Sequence, residues 1–162
     1  PTVLAKLPQT VLAIVGEGEL EWELQHQCRT LAIEEDVSFG GFRDDVPDLL
    51  HACDVFVMSS HLEGLCTSVM DAMAAGKPVV VTAAGGLPEL VEHEKTGLVV
   101  PPKDSDALAR AILTLLENRK QREHFGRQAQ AHAQKKYGKD AMVEGTLAVY
   151  RELGAGAPLH GA

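Results

Sequence analysis

Between Asp54 and Thr82 two buried-strand patterns flank one helix pattern, and no other stretch limits the fold as much. Asp54 to Met58 and Pro78 to Thr82 are short apolar runs of the kind found in strands covered on both faces. Between them, Cys66, Val69, Met70, Met73 and Ala74 follow the i, i+3, i+4, i+7, i+8 spacing of one apolar helix face. Thr67 and Asp71 share the other face. Glu63 stands just before the helix. A strand end, a loop carboxylate, a helix start and a second carboxylate one turn in therefore converge. Open α/β sheets bind ligands at such a place.

The flanking sequence repeats the alternation. Thr10 to Val15 reads as a strand ended by Gly16-Glu17-Gly18, and Glu19 to Leu31 as a helix with Leu20, Leu24, Cys28 and Leu31 inward. Val37 to Phe39 reads as a short strand closed by Gly40-Gly41. Asp44 or Asp45 is placed to cap a short helix carrying Pro47 and running to about Ala52. After Thr82 come a Gly-rich loop, a short helix from Pro88 to Glu92, and a strand from Leu98 to Val100 stopped by Pro101-Pro102. Three helix patterns follow, Ser105 to Glu117, Lys120 to Lys136 and Asp140 to Leu153, before a Gly/Ala/Pro tail. The expected fold is α/β: a Rossmann-like, doubly wound parallel sheet with helices on both faces and a helical C-terminal cover. One domain is expected over residues 1–153, with 154–162 a flexible tail.

With 162 residues, 45% hydrophobic and 23% charged, the chain has the composition of a soluble globular domain. No apolar run nears the ~20 residues that span a bilayer. A net charge of −8 argues against nucleic acid or an acidic membrane surface as partner. It leaves room for a small anion, because backbone amides at a helix start bind phosphate without a basic surface. The three cysteines lack zinc spacing and the seven histidines form no ligand cluster, so no metal and a reduced, cytoplasmic protein are expected.

The first amides of the helix near Cys66 have no intrahelical partner, and Thr67 and Ser68 add hydroxyls, so a diphosphate fits there. The alternative is that Thr67 and Ser68 only start the helix. Glu63 is placed to accept hydrogen bonds from sugar hydroxyls or support developing positive charge; otherwise it is a solvent-facing loop acid. Asp71 lies about 7.5 Å along the helix from Cys66, within reach of a ribose diol if phosphate sits at Cys66 and Thr67. A thiol at a helix start is either activated or packed, and packing is the expectation for Cys66.

Glu63-x7-Asp71 followed by Ala72-Met73-Ala74-Ala75-Gly76-Lys77-Pro78-Val79-Val80 resembles the Glu-x7-Glu signature of group 1 (family 4) retaining glycosyltransferases. Val15-Gly16-Glu17-Gly18, Val37-Ser38-Phe39-Gly40-Gly41 and Ala52 to Ser60 resemble that family's upstream motifs. Gly85-Gly86-Leu87-Pro88-Glu89 and Thr96-Gly97-Leu98-Val99-Val100-Pro101-Pro102 resemble its downstream ones. The motifs occur in family order over residues 11 to 117.

The resemblance implies the C-terminal half of a GT-B fold that binds a nucleotide-sugar donor of UDP or GDP type, without metal or cofactor. It assigns the donor sugar to Glu63, taken as the catalytic position, and the ribose to Asp71. It assigns the diphosphate to the backbone around Leu65, Cys66 and Thr67, and the base to the loop Gly41, Phe42 and Arg43. Three departures stand out. Asp71 replaces the second Glu, Leu65 and Cys66 replace a Phe-Gly pair, and the family's basic G-R-x-x-x-x-K-G segment should lie before Pro1. The acceptor-binding domain should lie there too, together with any peripheral membrane association. The implied reaction moves a hexose, with retention, to a glycan, lipid or small-molecule acceptor, and the isolated chain is expected to transfer little. The alternative is a non-catalytic module that binds nucleotide sugar, or only a partner, and pairs with a separate subunit through residues 120 to 153.

Overall fold

A computed structural model describes residues 1–155. Its elements are α1 (Thr2–Lys6), β1 (Leu12–Val15), α2 (Glu21–Thr30), a 3-10 turn (Glu34–Asp36), β2 (Val37–Gly41), α3 (Val46–Ala52) and β3 (Phe56–Met58). They continue as α4 (Thr67–Ala74), β4 (Val79–Thr82), α5 (Leu87–Leu90), β5 (Gly97–Val100), α6 (Ser105–Glu117), α7 (Arg119–Tyr137) and α8 (Lys139–Ala155). The strands pair in parallel in two ladders, β1-β2 and β3-β4-β5. Helices cover both sides, the doubly wound arrangement expected from the sequence.

The two-sided cover follows from the period of two along each strand. Val79 and Val81 of β4 turn to a cluster built with Val69, Ala72 and Met73 of α4, Leu87 and Leu90 of α5, and Ala129 and Ala133 of α7. Val80 turns the other way, to Leu98 and Val100 of β5, Ala111 and Leu115 of α6, and Phe125 of α7. On β3, Phe56 and Met58 join the first cluster and Val57 the second. Gly126 lets α7 approach closely, since a Cβ there would sit 2.2 Å from the carbonyl oxygen of Gly76.

Helix α4 ends in a Schellman turn. Gly76, at φ +73, lets its own N–H reach the Met73 carbonyl and the Lys77 N–H reach that of Ala72. Its inward face differs from the expected one. Ala72 is buried and Ala74 exposed, because α7 packs along α4 and claims the side carrying Ala72.

The first unit is thinner. Leu12 pairs with Val37 and Ile14 with Phe39, with an irregularity before Val15 opposite Gly41. Neither apolar cluster includes a residue of β1, α2 or β2. Of the four inward positions expected on the first long helix, only Cys28 is buried. Leu20 precedes α2, and Leu24 and Leu31 stay exposed. Asp45 occupies the cap position of α3, but its carboxylate is bound by Arg43 rather than by an amide of the helix.

The expected tail begins inside a helix, because α8 runs through Gly154 and Ala155; residues 156–162 lie outside the described residues. No helix among the described residues is long and apolar enough to cross a membrane.

Candidate functional site

Thr82 closes β4 at its carboxyl end and is buried. Its hydroxyl donates to the carbonyl of Ser60, 2.6 Å away across the loop that leaves β3. Ser60 in turn donates its own hydroxyl to Oε2 of Glu63 at 3.2 Å. The Gly86 N–H donates to the Glu63 carbonyl, also at 3.2 Å. Glu63 is half-buried, and its neighbours Leu62 and Leu65 project into solvent. The Gly85-Gly86 pair noted in the sequence thus lies directly against the Glu63 loop, a juxtaposition the motif alone did not reveal.

Helix α4 starts at Thr67, with Cys66 in the cap position at φ −84, ordinary extended backbone for a non-glycine residue. The Thr67, Ser68 and Val69 amides begin the helix and lack intrahelical acceptors. The Cys66 thiol is packed, as expected. Burial pushes its pKa up, the neighbouring Glu63 carboxylate adds to the rise, and the amides of Val69 and Ser68 pull the other way. The thiol therefore lies close to the same amides that a helix start offers to an anion. It is a filler of the site rather than an activated nucleophile.

Asp71 is exposed one turn into α4, and its carboxylate makes no hydrogen bond or ion pair among the described residues. No lysine or arginine side chain is paired with Glu63 or Asp71 among those residues either. Glu63, Leu65, Cys66, Thr67 and Asp71 are brought together on one loop and the first turns of one helix.

Gly41, Phe42 and Arg43 form a second group at the carboxyl ends of β1 and β2. The Gly16 N–H donates to the Gly41 carbonyl at 2.8 Å, which ties the two strand ends together. Gly41 sits at φ +59, Phe42 is 78% exposed, and the Arg43 guanidinium grips both oxygens of Asp45. That pairing raises the pKa of Arg43 and lowers that of Asp45. No hydrogen bond among the described residues joins this loop to the Glu63 loop.

Lys77, part of the long motif after Asp71, points away from this chemistry. Its ammonium donates to the carbonyls of His51 and Cys53 at 2.7 and 2.9 Å, closing the end of α3. Among the described residues no group of three or more His, Cys, Asp or Glu side chains is placed to hold a metal ion.

Residues 1–132 match the family described as "Glycosyl transferases group 1". The chain belongs to that family. This group 1 domain is 34% identical over 142 residues to "Uncharacterized glycosyltransferase MJ1607" of Methanocaldococcus jannaschii, covering 86% of the chain and 36% of the relative. It is 31% identical over 114 residues to the Escherichia coli "UDP-Gal:alpha-D-GlcNAc-diphosphoundecaprenol alpha-1,3-galactosyltransferase", covering 70% and 30%. Among solved structures it superposes on Anabaena Alr3699/HepE in complex with UDP, with a TM-score of 0.82 and 32% identity over 95% of the chain and 44% of HepE. It also superposes on the C-terminal domain of a Francisella tularensis group 1 glycosyl transferase, LpcC, with a TM-score of 0.77, 26% identity and coverage of 85% and 74%. The group 1 domain thus spans about a third of the length of the curated relatives it matches.

Proposed function

We propose that this domain holds the nucleotide diphosphate sugar donor, of UDP or GDP type, for a cytoplasmic glycosyltransferase. The parent reaction moves a hexose with retention, without metal or cofactor, to a glycan, lipid or small-molecule acceptor. One observation carries the reading. Glu63 is pinned through Ser60 beside the amides that open α4, and Asp71 stands one turn further along the same helix. Sugar at Glu63, diphosphate at the Leu65–Thr67 backbone and ribose at Asp71 follow that line, with the base at Gly41–Arg43. The UDP and UDP-plus-glucose complexes of HepE support a donor of this class.

The acceptor belongs to a second lobe outside this chain. A specific feature favours such a lobe. Met142, Val149, Tyr150 and Leu153 line one side of α8 and are all exposed. The isolated chain therefore binds donor weakly and transfers little. Leaving-group charge falls on the α4 amides, which stabilise an anion without proton transfer.

Isothermal titration of the folded chain with UDP-, GDP- and ADP-sugars tests the reading. Millimolar affinity for at least one, weakened by Asp71→Asn, is expected. Absence of heat and of amide shift changes with every donor would overturn it.

A further inference from the structure

We propose that Thr82, acting through Ser60, is a positioning residue that fixes the orientation of Glu63, and that Gly85 and Gly86 form the back wall of the same brace; this rests on reading Glu63 as the carboxylate that meets the donor sugar. The brace crosses the chain from the end of one strand to the loop after its neighbour. The Thr82 hydroxyl, on a residue only 3% exposed, holds the Ser60 carbonyl at 2.6 Å. With its backbone fixed, Ser60 can hold Oε2 of Glu63 by its hydroxyl. The Cys66 thiol also lies against the Glu63 carboxylate, so the group is held between the Ser60 hydroxyl and the start of α4.

The wall behind it tolerates no side chain. A Cβ at Gly85, whose φ is +52, would sit 1.7 Å from the Glu63 carbonyl oxygen, and one at Gly86 would sit 2.5 Å from that of Gly64. Both obstacles are backbone atoms, so the loop itself would have to move. Glu63 is thus held at its carboxylate by Ser60, at its carbonyl by the Gly86 amide, and from behind by Gly85. A hydroxyl that only filled space at the end of β4 would need none of this alignment. Preorganisation of a carboxylate matters when it must meet one set of sugar hydroxyls in one geometry.

The test compares the wild-type chain with Thr82→Val, which keeps the shape and removes the hydroxyl, and Thr82→Ser, which keeps the hydroxyl. Two readouts are taken on variants whose thermal melts show them folded. The first is the amide order parameters of Ser60 to Gly64 without ligand. Thr82→Val lowers them and Thr82→Ser leaves them at the wild-type level. The second is affinity for UDP and for UDP-glucose. Thr82→Val reduces the UDP-glucose affinity by about two- to tenfold, the scale of one hydrogen bond, while UDP binding stays unchanged, and Thr82→Ser restores it.

Unchanged order parameters in Thr82→Val overturn the brace, and so does an equal loss for UDP and UDP-glucose, which marks general loosening. If the wild-type chain binds neither nucleotide, the donor reading fails on its own account. The order parameters still decide whether Thr82 holds the Glu63 loop.

Discussion

Strands β1 and β4 are both four-residue parallel strands of aliphatic character, Leu12-Ala13-Ile14-Val15 and Val79-Val80-Val81-Thr82. All four side chains of β4 are buried, whereas β1 leaves Leu12, Ala13 and Val15 exposed. Local sequence does not separate them; neighbours do. Strand β4 pairs on both edges, with β3 and β5, and contributes to an apolar cluster on each face. Strand β1 pairs with β2, and α2 adds only Cys28 to the buried set. The difference extends to the two halves of the candidate site. The Glu63 loop grows from the strand beside β4 and is tied to it by Thr82. The Gly41–Arg43 loop grows from the thin unit and is tied mainly to its own neighbour Asp45. A donor bound as proposed would meet a rigid sugar side and a softer base side.

The largest effect expected from this contrast comes from paired truncations. Leu115 of α6 is fully buried, so Leu115→Ala leaves a cavity and should cost about 2–5 kcal/mol. Leu24 of α2 is 38% exposed and faces a thin layer, so Leu24→Ala should cost less than about 1 kcal/mol. Urea unfolding midpoints with unchanged slopes measure both. Equal losses would mean that the first unit is packed as firmly as the second, and the comparison would break.

The contrast also separates what could be read in the sequence from what could not. The bounds of helix α6 were legible to the residue, from Ser105 to the interrupting Asn118, although its buried set of Ala111, Leu113 and Leu115 includes Leu113, which lies off the apolar stripe. Strand β4 was legible to within a residue, because a β-branched run after proline has few alternatives. Helix α1, five residues long with no buried side chain, carried no periodic signal, nor did the turn at Glu34–Asp36. The thin cover of β1 was illegible for another reason: alternation says which residues seek cover, not whether cover is present. The helix pattern placed Glu63 just before α4, Cys66 at its start and Asp71 one turn in, and they lie there along the chain. The Thr82–Ser60 tie joins positions 22 apart, and no local pattern encodes it.

A smaller and more local effect is expected in amide hydrogen exchange. The amides of β4 lie in the middle of a three-stranded sheet and should exchange only through opening of the whole domain. Those of β1 should exchange through cheaper local opening, at least about tenfold faster, equivalent to ~1.4 kcal/mol. Donor binding sharpens the comparison, because a ligand that spans both loops must slow exchange at Gly41 and Phe42 more than at Glu63, where the brace already holds the chain. Similar protection of β1 and β4 in the free chain would remove the proposed difference in rigidity.

The smallest effect concerns acid. Asp45 binds Arg43 and its carboxyl is held below the ordinary value of 3.8, mainly by the hydrogen bond from the guanidinium. A carboxyl with a depressed folded-state pKa contributes stability that is present above its unfolded value and is lost as pH falls through the folded one. The contribution of this pair is therefore complete near neutral pH and disappears only below 3.8. Glu92, held down first by Lys95, and Glu123, held down first by Arg119, behave alike below 4.5 but sit on the well-packed half. All three carboxylates are solvent-screened, so each effect is small and weakens with salt. The distinction lies in where the loss is felt. Arg43–Asp45 orders the loop after β2, which has little packing beneath it, so its protonation should loosen Phe42 to Val46. Protonation at Glu92 or Glu123 should leave the buried helix faces in place. Amide shifts followed through an acid titration read this out, with Asp45→Asn as control: the variant should already show the loosened loop near neutral pH and change little on acidification. An Asp45→Asn loop indistinguishable from wild type at neutral pH would show that the ion pair holds nothing, and that the softness of this half comes from its missing cover alone.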